Sequence, residues 1–353
     1  MTKTPVWERY PTIQRSPHAT TWLGIQVALG LASNTIEAYG RAVDDFFGFC
    51  AARLVEPDTA AKQHVAEYVR DTLERPRFAH HPRASLGPPV GLANATIQQR
   101  LTAIRLYFDY LMEEGVRTTN PVGRGHYTPG RAFGTKGERG LVPRYHTLPW
   151  IPTEEQWQAI LTATQSEPIR NRVMFALAYD AALRREEVCS LTIADIDPTH
   201  RTLRIRAEVT KNRQERIVPY SADASALYQA YLAHRRTVSR ERGPLFLSES
   251  RRNYARPLSI WTWSKVVEGI AARSGVAQLT THTLRHLCLT DLARAGWQLH
   301  EIATFAGHRS LQTTLRYIHL SGRDLSEKLH QGMAQIHAWR SRMLAEVLPC
   351  PTP

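Results

Sequence analysis

The 353-residue chain has only 4 cysteines, Cys50, Cys189, Cys288 and Cys350, and no two of them form a Cys-x-x-Cys pair. That scatter excludes a cysteine zinc cluster and a disulfide framework, so a reducing cytoplasm is the expected setting. No apolar run reaches the roughly 18 residues that span a bilayer, and the N-terminus has no signal-peptide pattern. The chain therefore reads as soluble, without a membrane partner. The 15 histidines include no His-Glu-x-x-His or comparable spacing, which removes a zinc hydrolase from consideration. Lysine is also scarce, confined to Lys3, Lys62, Lys136, Lys211, Lys265 and Lys328.

Positive charge is nevertheless abundant. Lys and Arg number 45 against 32 Asp and Glu, a net charge of +13, and nearly all of it is arginine. A surplus of that size points to a polyanionic partner, and the guanidinium fork matches phosphate oxygens. Hydrophobic residues make up 42% of the chain, ample core for two domains.

Residues 1–18 are polar, carry Pro5, Pro11 and Pro17, and read as an extended N-terminal arm. Residues 19–125 are helical in pattern. Ile36, Tyr39, Val43, Phe46, Phe47 and Cys50 recur at helical spacing after a cap at Ser33-Asn34-Thr35. Ile97, Leu101, Ile104, Phe108 and Leu111 share one face of a second helix that ends near Gly115. Between them, the prolines of Arg75 to Leu92 predict a loop, and Asn120-Pro121 stops the region. Residues 126–150, rich in Gly, Arg and Pro, read as a basic linker. A second domain, 151–353, opens on a helix start at Thr153-Glu154-Glu155-Gln156. A helix through Val173, Leu177 and Ala178 breaks near Ala181 to Leu183. Leu203 and Ile205, then Ile217 and Val218 before Pro219, predict a small β-hairpin turning at Lys211 to Gln214. The pattern is then helical to the end. The expected fold class is mainly α with a small antiparallel β-sheet (α+β).

The residues that carry chemistry are dispersed. His282 and Arg285 are three apart, hence on one helix face, with Thr280 or Thr281 as the cap. A cap there places His282 at a helix N-terminus, where phosphate is favoured. His286 reads as a packing residue. His308 follows Gly307 and precedes Ser310, an N-cap for the helix that bears Tyr317. Arg184 stands before Arg185-Glu186-Glu187, and Lys211 lies in the hairpin turn. Singly, each has a bland reading as a salt-bridged helix start, an exposed lysine or a core tyrosine. Together, a phenol, two arginines, histidines and a lysine suit attack on a phosphodiester. Extra negative charge on the phosphate oxygens meets fixed donors, the phenol loses a proton and the leaving oxygen gains one.

Around these residues the sequence resembles the tyrosine recombinase (phage integrase) family. The family's Gly-Leu-Arg-x-x-Glu block appears as Ala182-Leu183-Arg184-Arg185-Glu186-Glu187, with Ala in place of Gly. The lysine block ending in Arg-x-Val-Pro appears as Thr210-Lys211-Asn212-Arg213-Gln214-Glu215-Arg216-Ile217-Val218-Pro219, one glycine shorter than the usual turn. His282-Thr283-Leu284-Arg285-His286 is complete, and Ala306-Gly307-His308 is followed by Tyr317 and His319. Asn34-Thr35-Ile36, Ala95-Thr96-Ile97 and Asn120-Pro121-Val122 look like the family's helical core-binding (SAM-like) domain, so the likeness spans roughly residues 20 to 330.

The resemblance implies a site-specific DNA recombinase or integrase that breaks and rejoins strands through a 3′-phosphotyrosyl intermediate. It implies that Tyr317 is the nucleophile, that Arg184 and Arg285 clamp the phosphate, and that Lys211 is the general acid. His282 would assist proton transfer, His308 would hydrogen-bond the phosphate and Glu187 would prop the site. No metal, ATP or other cofactor is implied. The partners implied are double-stranded DNA held in a two-domain C-shaped clamp, three further copies forming a tetramer on two DNA sites, and accessory directionality proteins. A C-terminal tail helix with Leu329, Met333, Ile336, Trp339 and Met343 on one face would pack against a neighbouring protomer or its own domain. The expected setting is a bacterial cytoplasm, at the nucleoid. Only about 18 residues precede the core-binding pattern, too few for an arm-binding domain of the kind that reads a second class of site. The proline-rich insertion and long linker depart from compact chromosome-dimer resolvases and lean the reading towards integration, excision or transposition of a mobile element. Two alternatives remain at this point: a type IB topoisomerase-like enzyme, and a non-catalytic DNA-binding protein.

Overall fold

The computed structural model describes residues 7–75, 91–123, 141–143, 149–210 and 212–315, with 338 and 340. The chain divides into two compact units, Met1–His146 and Thr147–Pro353.

Helices α1 (Pro17–Ala28), α2 (Ser33–Ala51), α3 (Lys62–Glu74) and α4 (Asn94–Glu113) build the described part of the first unit. Both apolar stripes predicted from spacing are buried: Ile36, Val43, Phe46, Phe47 and Cys50 of α2, and Ile97, Leu101, Ile104, Phe108 and Leu111 of α4. Each large side chain so buried contributes about 1.5–3 kcal/mol. Gly115, at φ +74°, lies just beyond the end of α4. The expected cap at Ser33 is not used. Ala32 is the extended residue before α2, and Ser33 is already helical.

The extended arm is corrected for residues 7–18. Two short 3₁₀ turns, Trp7–Arg9 and Ile13–Arg15, precede α1, and Tyr10 and Ile13 are fully buried. Pro17 is compatible with this because it occupies the first turn of α1, where no amide hydrogen is needed; the Ser16 hydroxyl accepts from the Ala19 amide at 3.2 Å. Thr12 ties the segment to α2 by donating its hydroxyl to Asp44 Oδ1 at 2.7 Å. Gly40 in the middle of α2 is explained by the Tyr10 ring, which lies 2.7 Å from where a Cβ would stand. The linker reading also changes at its described part: Val142 is buried in the first unit's core, and its carbonyl accepts from Gln98 Nε2 at 2.9 Å. The loop expected at 75–92 lies mostly outside the described residues.

The second unit contains α5 (Glu154–Gln165), α6 (Ile169–Asp180), α7 (Arg185–Cys189), α8 (Ala222–Val238), α9 (Ile260–Ser274), α10 (Thr281–Arg294), α11 (Leu299–Ala306) and α12 (Leu311–Leu315). Its sheet has three antiparallel strands in the order β1 (Ile196–Asp197), β2 (Thr202–Ile205) and β3 (Arg216–Pro219). The fold is therefore mainly helical with one small sheet. Leu203 pairs with Val218 and Ile205 with Arg216, so the hairpin connection runs over 206–215, wider than the turn predicted, and includes a 3₁₀ turn at Ala207–Val209. Leu177, Leu203, Val218, Phe246, Trp263 and Leu284 meet in one core. Among the described residues no helix is long and apolar enough to cross a membrane.

One buried cation in this unit is satisfied without a carboxylate. Arg235, 4% exposed, donates to the carbonyls of Leu245, Pro244, Ser239 and Glu241 at 2.8–3.2 Å. Arg235→Met is expected to lower stability by about 3 kcal/mol, because four hydrogen bonds from one buried guanidinium are lost at once. Urea unfolding measures this, and a loss below 1 kcal/mol would contradict the assignment.

Candidate active site

The site begins where α6 ends. The chain reverses at Ala182, whose φ of +47° lies in the left-handed region that favours glycine. Ala182 and Leu183 are buried, and Arg184 follows as the residue capping α7. Its amide donates to Glu187 Oε2 at 2.9 Å and its Nη1 to Glu187 Oε1 at 2.8 Å. The expected salt-bridged helix start is thus real, but it faces inward: the Glu187 side chain is 1% exposed and that of Arg184 22%.

Glu187 has a second partner that the sequence reading quoted only as part of a block. Arg216 grips it with Nη2 on Oε2 at 2.7 Å and Nη1 on Oε1 at 3.1 Å, and donates Nε to the Phe305 carbonyl at 3.1 Å. A signal for this existed. On a strand, residues two apart share a face, so Arg216 points inward with the buried Val218 while Ile217 is 67% exposed. Burial alone would raise the Glu187 carboxyl. The hydrogen bonds and charge of Arg216, with the amide and guanidinium of Arg184, overcome that and hold it at about 2.

The sign of the linkage is direct: a carboxyl depressed in the folded state adds stability above its unfolded value near 4.5, and that stability is lost as pH falls towards 2. The amount is about 3 kcal/mol at 1.36 kcal/mol per unit. Between pH 5 and pH 2.5 the wild type should lose most of this increment relative to Glu187→Gln, which has no carboxyl to titrate. Parallel unfolding curves for the two proteins would refute it.

Helix α10 carries Arg285 one turn beyond its cap, where Thr280 accepts from the amides of His282 and Thr283. Arg285 is 2% exposed. It donates Nη1 to the Ala182 carbonyl and Nη2 to the Ala306 carbonyl, the latter at 2.6 Å, and Nη2 also lies 2.9 Å from His308 Nε2. A guanidinium only donates, so His308 Nε2 accepts and the ring is neutral. Its Nδ1–H is then the donor to Thr314 Oγ1, at 2.8 Å. Burial, reinforced by the cations Arg285, Arg184 and Arg216 and opposed by Glu187, pulls this imidazole down to about 3.

His308 follows Gly307, at φ +63°, where an added Cβ would stand 3.0 Å from Arg216 Nη1. Glycine serves there both for the conformation and for Arg216. The Gly307 carbonyl accepts from Asn212 Nδ2 at 3.1 Å and lies 3.5 Å from Arg184 Nη2. His282 stands on the exposed first turn of α10. Desolvation by its surroundings lowers its imidazole, Glu186 opposes, and Arg285, Arg185 and Arg184 add to the lowering.

The structure thus brings Arg184, Glu187, Arg285 and His308 together, with His282 within their electrostatic reach. Lys211 and Tyr317 lie outside the described residues. Among the described residues no group of three or more His, Cys, Asp or Glu is arranged to hold a metal ion. The arrangement is a cluster of cations whose one buried carboxylate, Glu187, is already paired, suited to an oxyanion.

Comparison with known proteins bears on this directly. The profile of the Phage integrase family matches residues 152–323, and that of the Phage integrase, N-terminal SAM-like domain matches 22–115. The chain is 30% identical over 300 residues to a tyrosine recombinase XerC of Herpetosiphon aurantiacus, across 84% of this chain and 88% of that protein. The chain belongs to the tyrosine recombinase family. The recombinase is also 27% identical over 305 residues to a tyrosine recombinase XerD of Halalkalibacterium halodurans, across 84% and 90% of the two chains. In fold it is similar to the XerH site-specific recombinase bound to palindromic difH substrate, with a TM-score of 0.65 at 18% identity over 92% of this chain and 88% of that one. It is likewise similar to the Tn1549 transposon integrase in complex with a circular-intermediate DNA, with a TM-score of 0.63 at 16% identity over 88% and 98%. The recombinase is thereby an enzyme of site-specific recombination or integration. All seven residues expected at its site, Arg184, Glu187, Lys211, His282, Arg285, His308 and Tyr317, fall within the matched 152–323.

Proposed function

We propose that this recombinase cuts and rejoins double-stranded DNA with Tyr317 as nucleophile. The observation that carries the reading is the convergence of Arg184, Arg285 and His308, from three separate stretches of chain, on the turn at Gly307. The Tyr317 oxygen forms a bond to phosphorus while the bond to the 5′-oxygen breaks. The phenol proton leaves with the help of His282, and Lys211 supplies a proton to the departing 5′-oxygen. Arg184 and Arg285 hold the non-bridging oxygens, where preorganised donors are each worth about a hundredfold or more. His308 gives its Nε2 to Arg285 in the free protein. An incoming phosphate brings negative charge that opposes the pull of the three arginines on this imidazole. The 5′-hydroxyl reverses the sequence on a new partner strand, and the phosphotyrosine conserves the bond energy.

The same reading takes four protomers on two DNA sites and the integration, excision or transposition of a mobile element as the task; the expected C-terminal tail helix lies outside the described residues apart from 338 and 340. The net charge of +13 supports the DNA partner, and the proline-rich stretch 75–92 supports the mobile-element task. The test is covalent capture. Wild-type protein incubated in EDTA with nicked duplexes from the flanks of its own gene should give a protein–DNA band on a denaturing gel. Tight binding to every flank without any such band would contradict the reading.

A further inference from the structure

Glu187 is surrounded by four donors on two oxygens. Oε1 accepts from Arg184 Nη1 at 2.8 Å and Arg216 Nη1 at 3.1 Å; Oε2 accepts from the Arg184 amide at 2.9 Å and Arg216 Nη2 at 2.7 Å. A carboxylate offers about four acceptor positions, so this one is full. The two arginines hold it differently. Arg216 engages both oxygens with its fork, spends its Nε on Phe305 and has a side chain only 8% exposed. Arg184 touches the carboxylate through one guanidinium nitrogen, has its Nη2 a long 3.5 Å from the Gly307 carbonyl, and is the more exposed of the two.

Charge and geometry make these two statements one. The Arg216 fork cancels the buried carboxylate, so the positive charge of Arg184 has no full counter-ion. Bidentate pairing is the favoured state of an arginine beside a carboxylate. If Arg216 were absent, Arg184, already 2.8 Å from Oε1, would take both oxygens and turn its remaining N–H groups inward.

We propose that Arg216 is a positioning residue whose hold on Glu187 keeps Arg184 available to a phosphate. Gly307 belongs to the same device, since a Cβ there would press on Arg216 Nη1 at 3.0 Å and Cδ at 3.2 Å. The proposal rests on the functional reading for its meaning in catalysis, but the availability of Arg184 is measurable without any DNA.

The test uses the full-length chain and inorganic phosphate, titrated against chloride at constant ionic strength. The readout is the ¹⁵N–¹H resonance of the Arg184 Nε, identified by its loss in Arg184→Lys. In the wild type that resonance should shift saturably. In Arg216→Met the affinity should fall about tenfold or more, as expected when a fork-on-fork pair sequesters the guanidinium. Glu187→Gln combined with Arg216→Met should recover to within about threefold of wild type, because an amide cannot hold Arg184 as an ion pair. A merely structural role for Arg216 predicts no such recovery. Where Arg216→Met alone does not fold, Arg216→Lys serves, since one ammonium cannot span both oxygens; the expected loss is several-fold, again relieved by Glu187→Gln.

Wild-type phosphate affinity in the single variant, or a double variant no better than the single, overturns the proposal. Cleavage of nicked DNA by the same proteins separates the two ideas. A wild type that shows the phosphate pattern but cuts nothing overturns the functional reading alone. A wild type that cuts, beside an Arg216→Met that binds phosphate and cuts equally well, overturns this inference alone.

Discussion

Tyr317→Phe should abolish covalent capture of DNA while leaving DNA affinity unchanged. Phenylalanine keeps the ring and removes only the oxygen that would bond to phosphorus. The contacts that bind DNA come from arginine forks and from the shape of the protein, neither of which needs that oxygen. Strand cleavage is therefore expected to fall by on the order of 10⁴-fold or more, as for loss of a covalent nucleophile elsewhere. A DNA-binding titration beside a single-turnover cleavage assay separates the two quantities. Equal cleavage by the phenylalanine variant would point to another nucleophile, and equal loss of binding would place Tyr317 in the DNA interface.

Arg285→Leu should damage both stability and chemistry. The guanidinium is 2% exposed and joins the end of the α6 turn at Ala182, the end of α11 at Ala306, and His308. Leucine would leave two buried carbonyls without this donor and remove the group that holds His308 Nε2. Orphaned buried acceptors cost about 1–3 kcal/mol each, so a loss of roughly 3–5 kcal/mol is expected in urea unfolding. Cleavage should fall by about 10³-fold or more, since a donor to the phosphate disappears together with the orientation of a second. Arg184→Lys is the comparator. That side chain is 22% exposed and makes fewer internal bonds, so its variant should cleave about a hundredfold slower with little change in unfolding. Similar unfolding midpoints for the two variants would contradict the tying role of Arg285.

How much of this was legible in the sequence differs from element to element. The α2 and α4 stripes were readable because half-buried helices impose a 3.6-residue period, and every predicted stripe position other than Tyr39 is buried. The Thr153 and Thr280 helix starts were readable because short hydroxyl side chains there accept from free amides. The first turns of the chain were not. Pro11 and Pro17 suggested extension, whereas Tyr10 and Ile13 are anchored by contacts to α2 across some 30 positions of sequence, which local pattern does not report. The site arginines and histidines could be named from their blocks, but their geometry came from long-range pairs such as Arg285 with Ala182. Arg216 stands in the sequence only as a member of the lysine block, because its partner Glu187 lies 29 residues away and local pattern does not report that pairing. Its alternation with Val218 was the available clue.

The most direct measurement is the mass of the peptide that carries the DNA. Covalent complexes trapped on a nicked duplex would be digested with nuclease and trypsin. Cleavage after Arg316 and Arg323 releases residues 317–323, in which Tyr317 is the single tyrosine. The prediction is that this peptide carries a nucleotide joined through its 3′-phosphate, with fragmentation placing it on Tyr317. A nucleotide found on His319, on Ser321 or on any other peptide would contradict the central claim.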